Sequence, residues 1–135
     1  MNIYQAVASQ LKTSTTITAY TSGKVYPLVV PQGVRLPYIT YRQVSNVVEH
    51  AMIRDPKISM RRFQISVWST GFSQSVNIST AIKAVLRDKT GTLGSSNFNV
   101  QRIFFDDEND FPELSENTNV ITYHRASDYL IWTTG

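Results

Sequence analysis

The sequence predicts an α+β fold: a mainly antiparallel sheet with an N-terminal helix and a second helix packed on one face. Three observations carry this. Strand-like segments follow one another in runs instead of alternating strictly with helices. The first turns of the chain have helical periodicity, and so does the stretch around residues 78–86. The cleanest period-two alternation in the chain lies between those two segments.

The first helix rests on Ile3, Val7 and Leu11, which recur every four residues with Tyr4 and Ala8 beside them. It is expected to end near the Thr-Ser-Thr-Thr run at residues 13–16, and the Ser- and Thr-rich stretch to residue 24 reads as a connection. Ser22-Gly23 marks a turn into a short extended piece from Val25 to Val30, broken by Pro31 and Gly33. Pro37 to Val48 is dense in aromatic and β-branched residues, with Ile39 and Tyr41 on one face and Tyr38, Thr40 and Val44 on the other. Residues 50–57 read as a loop. From Ser59 to Ser69, Phe63, Ile65 and Val67 alternate with Arg62, Gln64 and Ser66, as expected of a strand with one buried face.

Gly71 ends that strand, Ser73 or Ser75 is the expected cap, and Ile78, Ile82, Val85 and Leu86 line one face of a helix reaching about Asp88. Beyond Gly91 and the loop at residues 89–97, Phe98 to Phe105 and Val120 to Trp132 are two further strands, expected to pair as a long hairpin with an acidic segment at its tip. The sequence has no internal repeat, heptad run or linker, so residues 1–135 read as a single domain. A chain of 135 residues has the length for one hydrophobic core.

Composition narrows the function. Hydrophobic residues make up 41% and charged residues 17%, which sets the chain apart from disordered and fibrous sequences. With no cysteine, disulfides, thiolate metal sites and cysteine nucleophiles are excluded, and a reducing compartment fits. The most apolar stretch, Val25 to Val34, is interrupted by Pro27 and Pro31, so neither a membrane span nor a signal segment is expected.

Motifs for chemistry are missing as well. The glycines occur singly, and no phosphate-cradling or nucleophile-elbow pattern is present. His50 and His124 do not share a metal-binding spacing. His124 and Asp128 fall on one face of a strand and could be imagined as two members of a hydrolytic triad, but nothing anchors a nucleophile near them. Asp106, Glu108 and Asp110 alternate as oxygen ligands do in calcium loops, yet Phe111-Pro112 stands where such a loop requires glycine. The expected tally is no catalytic residue, no cofactor and no metal.

Charge is distributed unevenly. Six of the ten acidic residues, Asp106, Asp107, Glu108, Asp110, Glu113 and Glu116, fall in one eleven-residue stretch without Lys or Arg, and the rest of the chain is strongly basic. A solvated hairpin tip and a contact complementary to a basic partner are both compatible with that stretch. Phe111, an aromatic among carboxylates, either folds onto its own sheet or meets a partner. Arg42, Arg54, Arg61, Arg62, Arg87, Arg102 and Arg125 would be the phosphate contacts of a nucleic-acid-binding domain, but they are scattered and lie in no nucleic-acid-reading motif. The residues expected to touch partners are Arg61, Arg62, Asp106, Asp107, Glu108, Asp110, Phe111, Glu113 and Glu116.

In order and spacing, the segments VYPLVVPQGVRLPYITY, RRFQISVWSTGFSQ and YHRASDYLIW resemble the tail-completion, or tail terminator, proteins of long-tailed phages. The resemblance covers nearly the whole chain, through Leu36 to Tyr41, Gln64 to Trp68 and His124 to Trp132. It departs from the family in its more charged segment at residues 106–116. It implies a structural virion protein that assembles in the host cytoplasm as a homo-oligomeric, hexameric ring at the head-proximal end of the tail tube. Such a ring stops tube elongation, binds the tail tube protein on one side and a head connector or completion protein on the other, and lets DNA pass through its lumen without sequence-specific binding. A head-completion ring protein, or a basic nucleic-acid-binding domain, is the alternative.

Overall fold

In the computed structural model, residues 2–49, 58–94, 99–114 and 121–134 are described. Helices α1 (Ile3–Lys12) and α2 (Thr15–Thr21) lead into the short strand β1 (Val25–Pro27), then β2 (Tyr38–Glu49) and β3 (Ile58–Ser69). Helix α3 (Phe72–Leu86) follows, then the two-residue strand β4 (Gly91–Thr92) and the long hairpin of β5 (Asn99–Leu114) and β6 (Ile121–Thr134). The strands form one sheet in the order β1-β2-β3-β6-β5-β4. The expected α+β class with a mostly antiparallel sheet is therefore observed, and the one parallel pair is β1 with β2.

All three helices cover the same face of the sheet, because the buried side chains of each layer point at the other. Ile39, Tyr41, Phe63, Ile65, Val67, Ile103, Tyr129 and Ile131 from the strands meet Ala6, Val7, Leu11, Ile17, Ile78, Ile82 and Leu86 from the helices. Two polar anchors fix how these layers meet. The Gln10 side chain donates to the Val85 carbonyl at 2.7 Å and accepts from the Gly94 N–H at 2.8 Å, tying α1 to both α3 and the turn after β4. The Tyr41 hydroxyl donates to the Tyr4 carbonyl, and the Tyr4 hydroxyl accepts from the Gln43 N–H. Burial pushes the Tyr41 hydroxyl up to about 12, with Tyr4 adding to the shift.

Several expectations need correction. The Ser- and Thr-rich connection contains α2: Ser14 Oγ caps it by accepting from Ile17 N–H, and the Thr18 and Thr21 hydroxyls bond back to the Ser14 and Ile17 carbonyls. Hydroxyls that ordinarily favour turns are thus satisfied within the helix, while Ile17 and Thr21 are buried. The extended piece ends at Pro27 rather than Val30. Helix α3 begins at Phe72 with Gly71 at its N-cap, so Ser73 and Ser75 lie inside it, and Ser75 Oγ donates to the Phe72 carbonyl. Val44 is the extra residue where the pairing of β2 with β3 shifts, and so leaves the simple alternation. The loop expected at residues 50–57 lies outside the described residues.

The largest correction concerns the acidic segment. It is not the tip of the hairpin. Strand β5 continues through it to Leu114, and Asp107 to Leu114 pair with Asp128 to Ile121, with the register shifting at Asp106. Extended backbone sends alternate side chains to opposite faces, so the carboxylates are separated and each face supplies its own cations.

Candidate interaction surfaces

On the helix-covered face, Arg125 Nε lies 2.8 Å from Glu108 and 2.9 Å from Asp110, and Arg125 Nη2 adds a second bond to Asp110 at 3.3 Å. Lys83 of α3 completes the group, 2.6 Å from Glu108 and with its ammonium 4.6 Å from the centre of the Phe105 ring. Arg125 and Glu108 are only 16% and 14% exposed, so this pair is screened far less than a surface ion pair and fastens β5 to β6, while Lys83 on the same carboxylate ties α3 to the hairpin. Beside it, Tyr129 is fully buried, and its hydroxyl is pushed up first by burial and then by the charge of Glu108.

On the opposite, uncovered face, Arg62 bridges Asp106 at 2.6 Å and Asp128 at 3.2 Å. The hydrogen bond from Arg62 to Asp106 is the largest influence raising the arginine's affinity for its proton. Arg61 is next to Arg62 in sequence but points to the helix-covered side, where it donates to Gln43 Oε1. The two arginines therefore share a strand but no surface. Asp107 is exposed and accepts from the Glu108 N–H and the Asn109 side chain. Phe111, 47% exposed, rests against His124 at 5.6 Å between ring centres, so it touches its own sheet and still presents half its surface. Glu113 pairs through its backbone with Thr122, while its side chain and all of Glu116 lie outside the described residues.

The triad idea fails on geometry. His124 stacks on Trp68 at 3.8 Å with the planes 11° apart, and Asp128 is engaged by Arg62. Four residues of extended strand separate the two by roughly 13 Å. Among the described residues no group of three or more His, Asp or Glu side chains is placed to hold a metal ion. The dispersed arginines form no phosphate track: Arg62, Arg102 and Arg125 each bind a carboxylate of this chain, and Arg54 lies outside the described residues.

A surface that the sequence reading missed runs across the same end of the uncovered face. Tyr38, Trp68, His124 and Phe111 stand opposite one another on β2, β3, β6 and β5, forming a row of four rings. Tyr38 and Trp68 lie 6.2 Å apart, and the Trp68 indole N–H donates to Thr40. Exposed Leu28 and Val29 continue the row beyond Tyr38; past Phe111, a small cleft of about 120 Å³ is lined by Phe72, Asp110, Phe111, Tyr123 and His124. Phe72 is half exposed and packs edge-on against Tyr123. Three of the four row residues lie within the segments that carried the resemblance, but only the register of four strands shows that they align.

The described ion pairs hold strands and a helix together, and the row of rings lies beside them. A family model described as "Tail completion protein gp17" matches residues 5–133, and the chain belongs to that family. It is a structural protein of the virion tail, not an enzyme. No curated protein sequence matches it. Among solved structures, a chain from the virion of a native gene transfer agent particle is similar, with a TM-score of 0.71 and 19% identity, over 97% of this chain and 93% of that one. At that identity the likeness is one of fold. Among the described residues no helix is long and apolar enough to cross a membrane.

Proposed function

We propose that this protein is the tail terminator: subunits close into a hexameric ring at the head-proximal end of the tail tube, stop tube elongation and offer a docking face to the head connector, with DNA passing through the lumen. Family membership supports a role in tail completion, and the observation that carries the finer reading is the aromatic row. A band of rings, Phe111 about half exposed and Tyr38, Trp68 and His124 partly buried, flanked by exposed Leu28, Val29 and Phe72, is an apolar strip of the kind buried when a surface meets a partner. The row and the cleft beside it are the face that meets the last ring of tube protein.

The interface residues expected from sequence divide between two roles in this reading. Phe111 and Asp107 are accessible and make contacts. Arg62, Asp106, Glu108 and Asp110 stiffen the strand that presents them, and a rigid strand loses less entropy on docking. Arg61, turned to the helix-covered side, contributes to the fold and only indirectly to the contact.

The test is to mix the purified protein with the tail-tube protein of its phage and image the products by electron microscopy. Tubes capped at one end by a ring, with growth blocked, are the expected result. Unaltered tubes would overturn the terminator role and point to the head connector as the partner.

A further inference from the structure

Leu28 combines two unfavourable features. It directly follows β1, with φ at +66°, and its side chain is 61% exposed. A left-handed backbone crowds a leucine's Cβ against the following carbonyl oxygen, a clash that glycine avoids. A large apolar side chain left in water forgoes the burial that would offset this strain. The turn is held by two hydrogen bonds of 2.8 Å, from the Leu28 N–H to the Tyr41 carbonyl and from the Val29 N–H to the Pro27 carbonyl. Val29 is 78% exposed, so the held turn leaves two apolar side chains mostly in solvent. Strain kept at an exposed apolar tip marks a contact element, because the fold by itself would be served better by glycine.

On the far side of the sheet is a cleft that suits such a tip. It measures about 120 Å³ and is lined by Phe72, Asp110, Phe111, Tyr123 and His124. A dry cavity of roughly 150 Å³ takes up benzene, so one slightly smaller matches the isobutyl group of a leucine. Phe72 and Phe111 are half exposed, and a leucine placed there would bury both further. A chain cannot fill its own cleft: Leu28 is bonded to β2 and Phe111 lies on β5, three strand spacings or roughly 14 Å across the sheet.

Charge points the same way. From residue 1 to residue 48 the chain has Lys12, Lys24, Arg35 and Arg42 and no carboxylate side chain. Two of these cations stand at the base of the Leu28 loop, where Lys24 Nζ donates to the Arg35 carbonyl. The cleft has the opposite sign, since Asp110 lines it on the strand that also carries Asp106, Asp107 and Glu108. Asp110 stays 42% exposed even with Arg125 bonded to it.

We infer that the Leu28–Val29 turn of one subunit seats in the Phe72–Phe111 cleft of the next, bringing Lys24 and Arg35 toward Asp110. This rests on the ring reading above and supplies its joint. Tip and cleft are different patches of one chain, so the contact is head-to-tail and repeats around a ring. The face that meets the tail tube is then complete only in the ring, where each cleft holds its neighbour's leucine.

The test uses Leu28→Gly and Phe111→Lys. Leu28→Gly removes the tip and should hold or raise Tm, because relief of the strained backbone outweighs the freedom that glycine adds to the unfolded chain. Phe111→Lys sets a cation in the cleft where Lys24 and Arg35 would arrive, at an exposed edge-strand position that tolerates lysine. For each variant alone the concentration needed for half-assembly should rise at least about tenfold. An equimolar mixture keeps one sound joint, the tip of the Phe111→Lys copy in the cleft of the Leu28→Gly copy, while the reverse joint lacks both parts. The mixture should therefore form dimers and no rings.

Sedimentation velocity, with electron microscopy of the same samples free and on tail tubes, reads these outcomes. The joint is overturned if either variant assembles as the wild type does, if Leu28→Gly lowers Tm, or if the mixture closes rings or stays monomeric; capping of tubes by the wild type then leaves the terminator reading standing. A wild type that never exceeds a dimer, free or on tubes, overturns both. Should Phe111→Lys misfold by circular dichroism, Phe72→Ser poses the same question from the other wall of the cleft.

Discussion

Replacing Arg125 by methionine removes the cation that joins Glu108 to Asp110 and keeps most of the side chain's apolar bulk. The Asp110 carboxylate is 42% exposed and regains water, so its share of the loss is under about 1 kcal/mol. Glu108 is only 14% exposed and is left with Lys83 alone, and losing a charge-assisted partner there costs roughly 1.5–3 kcal/mol. The expected total is about 2–4 kcal/mol, a fall in Tm on the order of 10 °C for a chain of this size. Urea and thermal unfolding followed by circular dichroism measure it, and the double variant with Glu108→Gln should recover part of the loss, since it no longer strands a carboxylate. A change below about 1 kcal/mol, or strict additivity in the double variant, would refute the view that this pair works as a shielded clamp.

Three further outcomes are expected. The folded-state pKa of Tyr41 is raised to about 12 from an ordinary value near 10, and that of Tyr129 is raised too, so their contribution is fully present below pH 10 and is lost as pH climbs from 10 towards 12; for Tyr41 the loss amounts to about 2–3 kcal/mol, and denaturant titrations between pH 8 and 12 should show stability flat at first and then falling. Gly94→Ala should destabilise by more than about 1 kcal/mol, because φ is +60° there and an added Cβ would come within 2.8 Å of the Gln10 backbone nitrogen, loosening the anchor between α1 and the turn; an unchanged urea midpoint would contradict this. Trp68→Ala, on the uncovered face, should abolish capping of tail tubes in an elongation assay while lowering Tm only modestly, and normal capping would remove the aromatic row from the contact.

The parts of the fold that the sequence made legible are those where one face is buried and the other is not. The alternation of Phe63, Ile65 and Val67 with Arg62, Gln64 and Ser66 gave β3 nearly to the residue, and Ile78, Ile82 and Leu86 gave α3, because burial on one side imposes a period. Helix α2 was illegible because its Thr hydroxyls carry a turn-like signature, and only the local back-bonding and the buried Ile17 reverse it. The acidic strand was illegible for a related reason. Six carboxylates in one short stretch read as solvent-loving until Arg125, Lys83 and Arg62, from three other elements, are brought alongside. The residues expected to touch partners stand out in the sequence as a group, but which of them are paired within the chain is a property of register, as is the alignment of the four rings.

One consequence follows from the place of β6. It comes after every other strand in sequence yet sits in the middle of the sheet, with β3 on one side and β5 on the other. Until it arrives, β3 and β5 have no contact through the sheet, and the hydrophobic residues under them, Phe63 and Ile103 among them, lack Tyr129 and Ile131 as neighbours. The pairing of β3 with β6 spans roughly sixty residues of sequence, a separation that slows folding. Without β6 the chain therefore holds two unfinished half-sheets, joined only through the helices that cover them.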